Sequence, residues 1–205
     1  LDFLAKDSEL WYEYHAQALD HDIPFLNPII FYNNHAEFQQ TNAISGGIGV
    51  GTGGVTEGLK NRVVMPVAFS NQQTHQVLGH ELVHAFQFNI ILGGDSTSMR
   101  SLANIPLWVI EGMAEYMSIG RVDPFTAMWM RNAILTDNIP SLEKMANPKY
   151  FPYRYGQTAW SLLAGSFGDQ TLKPFLVETG KYGMNIGAQQ AFGMRIRISI
   201  GDTDI

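Results

Sequence analysis

The feature that most constrains this chain is His80-Glu81-Leu82-Val83-His84, which sets two histidines four residues apart. It lies inside Asn71 to Ile91, where Val77, Leu78, Leu82, Val83, Phe86 and Ile90 repeat with the period of a helix and Gly93-Gly94 ends the pattern. At about 100° per residue, positions four apart sit some 40° apart on one face and one turn apart in height. Both imidazoles can therefore reach a single Zn²⁺ at about 2.0–2.1 Å. Glu81 lies beside His80, close enough to act on water at such an ion without being a ligand itself. Leu82, Val83 and Phe86 give the apolar flank that lets the helix be buried, and burial of histidine and glutamate with nothing to compensate them is costly.

The rest of the chain has to supply a fold around that helix. With 205 residues, 45% of them apolar and 16% charged, the sequence is read as one domain with its own core, residues 1–70 forming a mixed sheet part and 71–205 a mainly helical part. Ser8 before Glu9, Leu10, Trp11, Tyr14 and Ala18 predicts a capped helix to about Asp20, and Ile29-Ile30-Phe31-Tyr32 and Arg62-Val63-Val64-Met65-Pro66 predict strands. Further helices are expected from Pro106 to Ile119, after Asp123-Pro124, from Tyr155 to Phe167 and from Asp169 to Thr179, with a short strand at Arg195–Ile200. Between Ile44 and Gly58 seven glycines interleave with Ile48, Val50 and Val55. They read either as a surface loop or as backbone bare enough for another backbone to approach, as on the rim of a peptide-binding cleft.

Composition excludes several classes of function. The formal charge is −6 and the 13 basic residues are scattered, so no stripe exists to neutralise phosphates and nucleic acid is not an expected partner. No apolar run approaches the ~20 residues of a transmembrane helix, so no transmembrane segment is expected in this chain. The chain has no cysteine, so a metal can be held only by histidine, aspartate or glutamate.

A catalytic zinc ion generally takes three protein ligands and a water. Glu111 stands out for the third place because Pro106-Leu107-Trp108-Val109-Ile110-Glu111-Gly112-Met113-Ala114-Glu115-Tyr116 is otherwise an apolar helix, where a carboxylate needs a partner. Glu115, one turn further on the same face, is placed to accept the second N–H of a liganding histidine. The bland alternative is a half-exposed helix with a polar edge. His75 falls about 140° round the helix from His80, and His15, His21 and His35 have no ligand-spaced partner. The methionines Met65, Met113, Met117, Met128 and Met130 sit among apolar neighbours as core filler.

His-Glu-Leu-Val-His followed by Trp108-x-x-Glu111-Gly112-x-Ala114-x-Tyr116 resembles the gluzincin metallopeptidases, in particular the peptidase-MA-like domains. The resemblance implies a zincin-like α+β fold, a small twisted sheet packed on the motif helix and followed by a mainly helical lower half. It implies zinc held by His80, His84 and Glu111, Glu81 as general base, and Glu115 orienting a zinc histidine. Pro152-Tyr153-Arg154-Tyr155-Gly156 is similar to the P-Y-x-x-G stretch of aminopeptidase-like gluzincins, which makes Tyr153 the donor to the oxyanion. No segment resembles G-A-M-E-N, so aminopeptidase activity is not implied.

From Phe38 to about Gly187 the chain is also similar to peptidase-like domains that precede TolB-type β-propellers in bacterial cell-envelope proteins. That resemblance implies a piece of a longer exported, periplasmic or envelope-bound protein with a β-propeller on its C-terminal side. The expected activity is zinc-dependent hydrolysis of peptide bonds in a peptide or protein substrate. One alternative is an idle zincin-like module that binds or scaffolds, which retention of Glu81 argues against. Another is hydrolysis of a non-peptide amide or ester.

Overall fold

The computed structural model describes residues 2–93 and 98–193. The strand expected at Arg195–Ile200 lies outside the described residues. The fold is α+β and mostly helical, with one small three-stranded mixed sheet. It divides into two compact units, Leu1–Asn89 and Ile90–Ile205.

The first unit holds α1 (Asp2–Leu19), β1 (Ile29–Tyr32), α2 (His35–Gln39), β2 (Val55–Glu57), β3 (Arg62–Pro66) and all but the last three residues of α3 (Asn71–Leu92). Helix α1 starts six residues before Ser8, whose hydroxyl donates to the Leu4 carbonyl at 2.8 Å and so lies within the helix instead of capping it. The sheet order is β1-β3-β2, with β1 parallel and β2 antiparallel to the central β3. On β3 the alternate residues Val63 and Met65 face one way and pack on Leu78 and Leu82, one turn apart on α3, with Trp11, Ile29, Phe31 and Val77 around them. That apolar seam fixes which face of α3 is turned to the sheet. The glycine-rich stretch is uneven in its packing. Gly46, Gly47 and Gly51 face open space, whereas a Cβ on Gly58 would lie 2.4 Å from the Phe88 ring, so there the chain lies directly against α3.

Helix α1 also docks on α3. The Trp11 indole lies over Gly79, where a Cβ would come within 2.6 Å of it, and stacks between His15 and His75 at ring distances of 5.1 and 4.7 Å. His15 is fully buried and donates from Nε2 to the Gly79 carbonyl at 2.9 Å. Burial pushes its pKa down to about 4 from an ordinary 6.5, against the opposing pull of that carbonyl, so it is neutral in the folded chain.

The second unit holds α4 (Ser98–Asn104), α5 (Leu107–Ile119), α6 (Pro124–Leu135), α7 (Pro152–Phe167), α8 (Leu172–Tyr182) and α9 (Met184–Phe192). Asp123 caps α6, its carboxylate accepting from the Thr126 N–H at 2.7 Å. Helix α7 begins at Pro152, three residues earlier than the sequence pattern suggests, which brings Tyr153 into its first turn. Helices α5 and α7 cross with their backbones in contact. A Cβ on Gly112 would stand 2.4 Å from the Gly156 backbone, and one on Gly156 would stand 2.5 Å from the Trp108 carbonyl oxygen. The Trp160 indole N–H donates to the Val109 carbonyl at 2.9 Å across the same crossing. The crossing point is one residue from Glu111 and three from Tyr153, so it fixes the relation between those two side chains. No described helix is long and apolar enough to cross a membrane.

Two measurements test this packing. Gly112→Ala forces the crossing apart and should lower Tm by roughly 4–10 °C, since overpacking costs about 1–3 kcal/mol or more and each kcal/mol moves a chain of this size by about 2–4 °C. Gly165→Ala, in α7 but facing open space, should instead raise Tm by roughly 1–4 °C through helix propensity, and thermal unfolding followed by circular dichroism reads both. The second measurement concerns His15. An unfolded imidazole takes up a proton near pH 6.5 and the folded one only near 4, so between those values the unfolded state binds more protons and stability rises with pH. The contribution, at most about 3 kcal/mol, is complete above pH 6.5 and lost as pH falls toward 4. Tm against pH in that window should be flatter in His15→Phe than in wild type.

Candidate metal centre

Helix α3 carries the motif, and Ser70 starts it: its hydroxyl accepts from the Gln73 N–H at 3.1 Å and its carbonyl from Thr74 N–H at 3.0 Å. One turn of regular helix then stacks His80 above His84. Their rings stand nearly perpendicular, at 82° and 4.7 Å between centroids, and the two Nε2 atoms are 3.1 Å apart. Two nitrogens at that spacing can both stand about 2.1 Å from one ion, subtending roughly 100°, close to the tetrahedral value.

The tautomer is set on the helix itself. The His84 Nδ1–H donates to Gln87 Oε1 at 2.8 Å, which places the ring's lone pair on Nε2, the nitrogen that faces His80. Gln87 is almost wholly buried, at 1% exposure, and was not anticipated from the sequence. Its signal was a lone amide between Phe86 and Phe88, three residues beyond His84 and so on the same face.

Each of His80, His84 and Glu111 offers one ligand atom, and these atoms all lie within 4.8 Å of one another. His80 is buried and the other two are half-buried. Two imidazole nitrogens and one carboxylate oxygen make a donor set that fits a first-row divalent ion, zinc among them. The other four histidines serve different contacts: His15 with Gly79, His21 with Asn89, His35 with the Thr52 carbonyl and His75 with the buried Asp7 at 2.6 Å.

Glu81 is buried beside the histidines, and its Oε2 accepts from the Thr56 hydroxyl of β2 at 2.7 Å. Glu115, also buried, accepts from Arg154 Nη1 at 3.0 Å, and the same guanidinium reaches Asp123 Oδ1 at 3.5 Å and Thr126 Oγ1 at 3.4 Å. Arg154 thus ties α5, α6 and α7 together, a role that its place between two tyrosines in the sequence does not signal. Tyr153 is half-buried, its ring 5.0 Å from Phe151, which in turn stands 5.4 Å from Trp129. Tyr155, by contrast, is buried against Tyr150 at 5.3 Å, and burial raises its hydroxyl above the ordinary range.

The chain matches no protein-family model, no curated protein and no solved structure.

If these three residues form the centre, the folded chain should bind about one zinc per molecule, and His84→Ala should abolish that stoichiometry after dialysis against a weak chelator. Gln87→Leu removes the acceptor that orients His84 while keeping the side chain's bulk, and it should weaken zinc by about 10–100-fold. Competition titration with a chromophoric chelator measures both.

Proposed function

We propose that this chain is a gluzincin-like zinc peptidase with a zincin-like fold, in which His80, His84 and Glu111 hold the metal. The observation that carries the reading is the pair of Nε2 atoms 3.1 Å apart with a buried, hydrogen-bonded glutamate between them in sequence. A purely structural metal site has no use for that glutamate. Zinc suits a two-histidine, one-carboxylate site with an open position, and when bound it supplies Lewis acidity toward a carbonyl oxygen and toward water.

The chain's own residues do the rest. Glu81 takes a proton from the attacking water and delivers it to the leaving amine as the C–N bond breaks. Tyr153, in the first turn of α7, donates to the carbonyl oxygen as negative charge collects there. Glu115 orients a ligand histidine, itself held in place by Arg154. An extended peptide fits the surroundings, because β2 is an edge strand of the sheet and carries the residue that touches Glu81. The family resemblance further suggests an exported bacterial envelope protein with a β-propeller beyond this domain.

Paired metal analysis and peptide-library assay, with and without a chelator, test the reading. Glu81→Gln keeps size and helix propensity but cannot accept the proton, so zinc should persist while turnover falls by about 10² or more. Tyr153→Phe should lower kcat by about 10²–10³ with KM little changed, since the phenol acts mainly on the transition state. Tyr155→Phe is the control and should keep wild-type turnover. Full activity in Glu81→Gln would overturn the mechanism, and zinc binding without hydrolysis of any peptide would favour the idle module.

A further inference from the structure

Thr56 meets Glu81 twice. Its Oγ1 is 2.7 Å from Glu81 Oε2 and 2.9 Å from the carbonyl oxygen of the same residue, so one hydroxyl bridges the side chain of Glu81 to its own helix backbone. Two residues earlier, Gly54 lies against the same carboxylate. A Cβ there would stand 2.7 Å from Cγ and 2.8 Å from both Cδ and Oε1. Residues 54 and 56 share a side of an extended segment, so the two contacts form a single wall. Glutamate loses rotamer freedom when held in one arrangement, and an unrestrained carboxylate at a reaction centre would sample several. The wall selects one of them.

We propose that Thr56 is a positioning residue for the general base: by engaging Oε2 it leaves Oε1, above the bare Cα of Gly54, as the atom that takes the proton from water. This rests on the reading of Glu81 as general base given above. The hydroxide left by that water forms the new C–O bond, the peptide C–N bond breaks, and the proton on Oε1 passes to the amine. The Thr56 proton stays on Oγ1 throughout. Nothing in the spacing of the zinc motif points to Thr56, which comes from β2, another element of the unit.

The experiment uses the full chain. Thr56→Val keeps the shape and removes the hydroxyl. In the zinc-loaded protein it should leave one zinc bound and lower kcat by about 10–100-fold with KM within about threefold, the size expected when a reacting group loses its alignment. Thr56→Ser should restore most of that loss. The contact itself is read without activity in the metal-free protein. Thr56→Val and Gly54→Ala should each lower Tm by roughly 3–8 °C in the wild-type background and by much less in Glu81→Ala, because their cost comes through the carboxylate. Equal Tm losses in the two backgrounds would overturn the contact. Wild-type kcat in Thr56→Val beside an inactive Glu81→Gln would overturn the positioning role alone. Loss in Thr56→Val that serine does not rescue would also overturn it, whereas full turnover in Glu81→Gln would overturn the proposed function and this inference together.

Discussion

Two imidazole nitrogens 3.1 Å apart set the terms for everything around them. The pitch of α3 brings them together, and because they lie inside a largely buried helix, every polar atom near them has to be answered from within the protein. Gln87 answers His84 from the next turn, and Thr56 answers Glu81 from the sheet. The helix can carry this load because Leu78 and Leu82 bind it to Val63 and Met65 on its other side. Three short strands are enough for that, since they have only one stripe of one helix to cover.

The chain repeatedly gives up side chains to let elements approach closely. Trp11 lies on Gly79 on one side of α3, and the segment entering β2 lies on Glu81 with only Gly54 between. Each case trades side-chain burial for hydrogen bonding or aromatic contact at short range. Both contacts fall on α3, the helix that carries His80 and His84.

Much of this was legible in the sequence, for identifiable reasons. The strands at Ile29–Tyr32 and Arg62–Pro66 are continuous apolar runs between turn residues, and α3 has both a motif and a period, so their limits agree closely with the structure. Helix α1 and helix α7 start earlier than expected because Ser8 and Pro152 serve as an interior residue and a first-turn residue, and a local cap signal does not distinguish these roles. Helices α2, α4 and α9 are short and were not foreseen. At the site, residues joined by helical spacing were readable, among them His80 and His84. Thr56 and Arg154 were not, because each acts across a gap in sequence that only packing closes.

The meeting of Gly112 and Gly156 has a dynamic consequence. Most helix pairs touch through side chains, which can change rotamer and absorb a small displacement before it is passed on. Here backbone rests on backbone, with no such cushion. A shift of α5 should therefore be passed on to α7 with little loss, and Glu111 and Tyr153 are expected to move together. Strain placed on one of these residues should reach the other through two missing methyl groups, without a run of side chains in between.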